Sequence, residues 1–287
     1  MPRAVAQDEG GHRLGGIDAD HLGGQRCGHG RTLCPVSGGR AWDDAVMALT
    51  IITGGTRGIG VAVASRLARD GHDLVLGYRA DDAAAARAVE VVEAAGVRCV
   101  TVRGDLTTDA GIEDLFSEAA GLGRLTGVVN NAGATYRFAP LVETPADEVR
   151  RTIDVNLTAP ILVARAAAQR LDRGGVIVNV TSGAATIGSP GEYVHYAAAK
   201  AGLDLLTRGL GLELADRGVR VVAVAPGLIE TELHAATGDP GRIDRMAPQI
   251  PLGRAGRPEE IADAVAWLMS DAASYVTATT LRVAGGR

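Results

Sequence analysis

The chain has 287 residues, 46% hydrophobic and 22% charged, enough to bury one large core. Its formal charge of -5 excludes the basic surface that nucleic acid demands, and it holds no apolar run of the ~18 residues that a membrane span requires. Three cysteines, Cys27, Cys34 and Cys99, are too few and too scattered for a disulfide framework, so a reducing cytoplasm is the expected compartment.

Residues 1–46 differ from the rest. Glycines occur in pairs (Gly10-Gly11, Gly15-Gly16, Gly23-Gly24, Gly38-Gly39), charges are mixed, and no helical or strand period is present. Such a segment buries too little apolar surface to offset its ordering entropy. The expectation is a disordered leader or a mis-assigned start, with Met47 as the working first residue of a single domain over 47–287. His21, Cys27, His29 and Cys34 follow no standard zinc spacing, so no metal site is expected.

Ala48–Thr53 is β-branched and uninterrupted, as in a buried parallel strand. It runs into Gly54-Gly55-Thr56-Arg57-Gly58-Ile59-Gly60 and then into an apolar-periodic helix, Val61 to Asp70, stopped by Gly71. Strand, glycine turn and helix together offer free backbone N–H groups and a helix N-terminus to a pyrophosphate. Gly54 takes the tight turn, Gly58 admits the phosphates and Gly60 allows close helix–strand packing. Further strands are expected at Asp73–Tyr78, Val97–Arg103, Leu125–Asn130, Gly175–Thr181, Val219–Ala225 and Leu281–Val283. Helices are expected at Ala83–Ala95, Pro145–Asn156, Leu157–Leu171, Tyr193–Ala215 and Glu259–Ser270, with starts marked at Thr144-Pro145 and Arg257-Pro258. Alternating strands and helices predict an α/β fold, a Rossmann-type doubly wound, seven-stranded parallel sheet with helices on both faces. The cofactor then lies at the carboxyl ends of the strands, where the winding reverses.

The second strand ends in Leu76-Gly77-Tyr78-Arg79, without the acid that bonds the ribose hydroxyls in NAD-selective sites. Arg57 and Arg79 together suit a 2′-phosphate, with Asp81 and Asp82 blunting the local field, so NADP is expected and NAD is the alternative. Gly227 to Arg257 is too long for a simple connection and is broken by Gly238, Pro240, Gly241, Pro248 and Pro251. It is expected to close over the substrate, with His234, Arg242 and Met246 as contacts.

Tyr196 and Lys200 lie four residues apart on a predicted helix and share one face. A nearby ammonium favours phenolate, so Lys200 is expected to acidify the Tyr196 hydroxyl toward neutrality. His195, its neighbour, faces elsewhere on such a helix and is left out of the site.

The chain resembles the short-chain dehydrogenase/reductase family in its compact single-domain form, over nearly all of Met47 to Arg287. The resemblance rests on Thr53-Gly54-x-x-x-Gly58-x-Gly60, Gly104-Asp105-Leu106, Asn130-Asn131-Ala132-Gly133, Val155-Asn156-Leu157, Thr181-Ser182-Gly183, Tyr196-x-x-x-Lys200-Ala201-Gly202 and Pro226-Gly227. Gly188–Tyr196 and Ala273–Thr277 look most like bacterial sugar-dehydrogenase-like and uncharacterised members.

The resemblance implies that Tyr196 passes the proton to or from the substrate oxygen and that Ser182 bonds that oxygen. It implies that Lys200 holds the nicotinamide ribose and that Asn156 completes a water-linked relay to Lys200. It also implies cofactor contacts from Gly54, Thr56, Arg57, Gly58, Ile59, Gly60, Tyr78 and Arg79 on the phosphate side. Asp105 and Leu106 fall beside the adenine, Asn131, Ala132 and Gly133 along the ribose, and Pro226, Gly227, Ile229 and Thr231 at the nicotinamide end. A homo-oligomer, tetramer or dimer, is the implied assembly. Two departures stand out: fourteen residues separate Ser182 from Tyr196, one more than in many relatives, and alanines occupy positions 278 and 284 where glycine and aspartate are usual.

Three readings follow: an NADP-dependent oxidoreductase of a secondary alcohol or carbonyl on a sugar or small metabolite; a 3-oxoacyl-carrier-protein reductase, thinly supported by Arg150, Arg151 and Arg173; and a noncatalytic nucleotide sensor. A sensor has no need of Ser182, Tyr196 and Lys200 together.

Overall fold

The computed structural model describes residues 47–231 and 241–287; the leader with its His/Cys cluster, and His234, lie outside the described residues. Seven strands form one sheet: β1 (Leu49–Thr53), β2 (Asp73–Tyr78), β3 (Cys99–Arg103), β4 (Leu125–Asn130), β5 (Val176–Val180), β6 (Arg220–Pro226) and β7 (Thr279–Val283). All neighbours pair in parallel, in the order β3-β2-β1-β4-β5-β6-β7. The winding therefore reverses between β1 and β4, which opens a crevice at their carboxyl ends.

Strand periodicity sorts the core into two layers. On one face Ile52, Leu74, Leu76, Val178 and Val224 meet Val63 and Leu67 of α1 (Gly58–Arg69) and Ile261 and Val265 of α9 (Pro258–Met269). Their alternates Leu49, Ile51, Val75, Ile177 and Val221 meet Ile112, Leu115 and Phe116 of α3 (Asp109–Leu122) and Val163 and Ala167 of α5 (Ala159–Arg170). Because both faces of β1, β5 and most of β2 are covered, these strands carry apolar residues on both faces.

The remaining helices are α2 (Asp82–Glu93), α4 (Ala146–Ile153), α6 (Ala184–Ile187), α7 (Val194–Glu213) and α8 (Arg242–Met246). The helix at Asp109–Leu122 was not among those singled out from periodicity. Residues Pro145–Asn156 do not form one helix: α4 stops at Ile153, and a π-turn over Asp154–Thr158 leads into α5. One extra residue per turn rotates Asn156 inward, where its side chain donates to Thr152 O at 2.9 Å. Pro258 starts α9, and the Glu260 carboxylate, held by Arg254 and by the Arg257 N–H at 2.8 Å, titrates down at about 2. Among the described residues no helix is long and apolar enough to cross a membrane, and no cluster of three His, Cys, Asp or Glu could hold a metal.

Candidate active site

At the end of β1, Gly54 (φ +63°) and Gly58 (φ +53°) adopt left-handed backbone that side chains rarely tolerate. A Cβ on Gly60 would lie 2.7 Å from Asn131 Nδ2 and closer still to the Gly54 carbonyl oxygen. Asn131 Nδ2 donates to the carbonyls of Thr53 and Gly54, both at 3.0 Å, and Thr53 Oγ1 accepts the N–H groups of Asn131 and Ala132 at 3.0 Å each. These bonds tie the turn to the end of β4. No side chain caps α1, so its first N–H groups remain available to an anion. Thr56 is buried beneath the turn and Ile59 packs on the core. A Cβ on Gly58 would touch the Thr231 methyl at 3.6 Å, so the stretch Pro226–Thr231 after β6 faces the turn. Ile229 is buried, and Gly227 sits too close to Ala284 to carry a side chain.

After β3, the Asp105 carboxylate accepts from Thr107 N at 3.0 Å and Thr107 Oγ1 at 2.7 Å; these bonds, with Arg79, hold it below its usual value. Leu106 packs against the second core layer. The two arginines expected at a 2′-phosphate are exposed, at 62% for Arg57 and 71% for Arg79, and each has an acid beside it: Asp81 at 3.7 Å and Asp105 at 3.3 Å. Exposed pairs of this kind contribute little, so either arginine can turn to a phosphate at small cost. Tyr78 donates to Asp82 at 2.9 Å.

The four expected catalytic residues converge from three elements. Ser182 follows β5, its Oγ accepting Ala184 N at 3.1 Å, and its hydroxyl acts to lower the pKa of the Tyr196 phenol. Tyr196 and Lys200 come from α7, with Nζ 5.8 Å from the phenol ring centre. Asn156 is wholly buried; its Nδ2 donates to Ala134 O at 2.7 Å and its Oδ1 accepts Ala134 N at 3.2 Å. Gly133 joins the two ends: a Cβ there would lie 2.7 Å from Asn156 Oδ1 and 3.4 Å from Lys200 Nζ.

The expected acidification of Tyr196 by Lys200 is reversed. Burial raises the phenol above its usual value, opposed by the Ser182 hydrogen bond, while burial also draws the Lys200 ammonium down to about 8. Nζ donates to Val180 O at 2.9 Å. Desolvation is the leading cause of both shifts, so near neutral pH the phenol keeps its proton and can give it.

A family model described as enoyl-(acyl carrier protein) reductase matches residues 54–287. The uncharacterised oxidoreductase YgfF of Escherichia coli K12 is 40% identical over 247 residues, 84% of this chain and 100% of that protein. A 3β-hydroxysteroid dehydrogenase 1 of Eggerthella lenta is 40% identical over 250 residues, 85% of this chain and 95% of that protein. A crystal structure of a short chain dehydrogenase from Burkholderia cenocepacia in complex with NADP superposes with a TM-score of 0.79 at 32% identity, over 83% of this chain and 97% of that one. The chain belongs to the short-chain dehydrogenase/reductase family. It is an NAD(P)-dependent oxidoreductase with the expected seven-stranded sheet.

Sequence reading named Arg242 as a contact but missed the acid that holds it, Glu192. Arg242 of α8 is 3% exposed and forks onto Glu192, with two bonds of 2.7 Å. Its guanidinium stands 4.4 Å from the Phe138 ring centre and 5.7 Å from that of Tyr193, whose hydroxyl accepts from it at 3.3 Å. Tyr193 in turn meets Tyr196 edge-on at 5.2 Å. Glu192 and Tyr193 belong to the stretch that lengthens the Ser182–Tyr196 interval, which was the available signal. Of the contacts expected from the long segment, Met246 instead packs with Leu228, Ile250 and Ala255. His195 is buried toward Glu148, and burial lowers its pKa. Of the three arginines offered for a carrier protein, Arg173 precedes β5, at the far end of the sheet, and Arg151 lies beside Asp147 at 3.6 Å and the Tyr136 ring at 4.9 Å.

Proposed function

We propose that this chain is an NADP(H)-dependent oxidoreductase that interconverts a secondary alcohol and a carbonyl on a sugar or other small uncharged metabolite. The observation that carries the reading is the Ser182–Tyr196–Lys200 cluster at the sheet's carboxyl edge, one strand from a glycine turn that leaves α1's N–H groups free. The residues fit a dinucleotide: side chains at Gly54, Gly58 and Gly60 would fill the cradle or strain it. Gly54 to Gly60 would hold its pyrophosphate, Asp105 and Leu106 its adenine, Asn131 to Gly133 and Lys200 its riboses, and Pro226, Gly227, Ile229 and Thr231 its nicotinamide end. When bound, the nicotinamide supplies or accepts the hydride.

The chain's own residues then manage one proton. Tyr196 Oη gives it to the substrate oxygen in reduction and takes it back in oxidation. Ser182 Oγ donates a hydrogen bond to the same oxygen as its charge develops. Lys200 Nζ, drawn down to about 8, can pass a proton at Oη toward Asn156 by way of water beside Gly133. Arg57 and Arg79 support NADP over NAD, because a 2′-phosphate can displace their weak exposed acid partners. The experiment is cofactor oxidation across uncharged sugars, ketones and acyl thioesters, for the wild type and Tyr196→Phe. Turnover of an uncharged carbonyl, lost at least about 1,000-fold in Tyr196→Phe with NADPH affinity kept within about threefold, is expected. A phenylalanine variant of undiminished activity overturns the reading.

A further inference from the structure

We propose that Glu192 and Arg242 form the charge filter of the substrate pocket: Glu192 occupies a guanidinium that would otherwise capture a carboxylate, so the pocket selects uncharged substrates. The inference rests on the reading above, in which Tyr196 Oη is the reacting group, and adds two specificity-determining residues to it.

The geometry places the guanidinium one ring away from the chemistry. Arg242 bonds the Tyr193 hydroxyl at 3.3 Å, and Tyr193 meets Tyr196 edge-on at 5.2 Å. Phe138, on the loop that follows the Asn131–Gly133 stretch, covers the guanidinium at 4.4 Å. Ala139 N donates to Glu192 O at 2.7 Å, which fixes that loop to the acid. Three segments distant in sequence thus enclose one cation.

A cation exposed by only 3% needs a counterion, since an unpaired buried charge is strongly unfavourable. A guanidinium recognises carboxylates through paired parallel N–H donors. Both terminal nitrogens are engaged by Glu192, Nη1 on Oε1 and Nη2 on Oε2, each at 2.7 Å. A substrate carboxylate would have to displace a residue of the same charge that is already tethered in place. Nε is buried without a partner, so it offers no exposed donor to a carboxylate.

The test is calorimetric binding of two unreactive probes, cyclohexanecarboxylate and cyclohexylmethanol, to the NADPH-loaded protein. Glu192→Gln releases the cation, so carboxylate affinity should rise at least tenfold while alcohol affinity moves less than threefold. Arg242→Gln leaves the acid alone, and carboxylate affinity should fall by a similar factor. This second variant decides the matter if the first fails to fold, because the acid it leaves is 34% exposed and can be hydrated. The double variant Glu192→Gln/Arg242→Gln should cancel both effects. Unchanged carboxylate binding in the single variants, or a wild type that prefers the carboxylate tenfold, overturns the filter. These probes are not turned over, so the result stands apart from the Tyr196→Phe assay of the reaction itself.

Discussion

Replacing Lys200 with methionine should change the pH dependence of folding in a defined direction. The ammonium is 3% exposed and burial lowers its pKa from 10.5 to about 8. Between those values the unfolded chain holds a proton that the folded chain has released, so stability rises with pH across about 8 to 10.5. Below pH 8 both states are protonated and the cost of burying the cation is present in full. Integrated from pH 7 to 9.5, at 1.36 kcal/mol per unit, the gain is about 2 kcal/mol. Tyr196, whose pKa burial raises, acts in the opposite sense, but only above pH 10, where unfolded phenols ionise and the folded one does not. Urea unfolding of wild type and Lys200→Met across this range cancels every other titrating group when the two are subtracted. The wild type should gain about 2 kcal/mol relative to the variant. Parallel curves, or a difference of opposite sign, would refute the claim that burial governs this lysine.

Gly60→Ala should abolish dinucleotide binding, measured by quenching on titration with NADPH, because its Cβ would meet Asn131 Nδ2 at 2.7 Å and displace the Gly54 carbonyl. Joint replacement of Arg57 and Arg79 by alanine should weaken NADPH binding by about 10- to 100-fold and NADH binding by less than about threefold, as expected from charge-assisted bonds to one phosphate. Equal losses for both cofactors would show that the arginines do not read the phosphate. Ala278→Gly should stabilise the protein: Ala278 holds φ +56°, and relief of that strain, about 1–2 kcal/mol, exceeds the backbone entropy of glycine, about 0.4–1 kcal/mol. Calorimetry should show the melting temperature rise by about 1–4 °C, and a fall would mean that lost methyl packing outweighs the strain.

The strands and their order of use were legible because a buried parallel strand leaves a contiguous apolar mark. Asp73–Tyr78 and Leu125–Asn130 lie where the largely apolar stretches place them. The glycine turn was equally plain, since Gly54, Gly58 and Gly60 answer to backbone geometry that no other residue satisfies. Local pattern said less about Asn156: the π-turn that buries it differs from an α-helix by one residue and is set by the Asn156 bonds to Ala134 and Thr152.

What the linear chain determined by itself were the doubly wound sheet, the glycine turn and the placing of Tyr196 and Lys200 on one helix face, while Ser182 and Asn156 were named only through the family resemblance. The first three depend on spacing within a strand, a turn or a helix. The sign of the electrostatics was decided only in three dimensions, because desolvation depends on what surrounds Tyr196 and Lys200 and not on their separation of four residues. The same holds for Arg242. Its partner Glu192 lies 50 positions away in the sequence, and only the packing of α8 against the loop before α7 turns a surface-like arginine into a buried, neutralised wall.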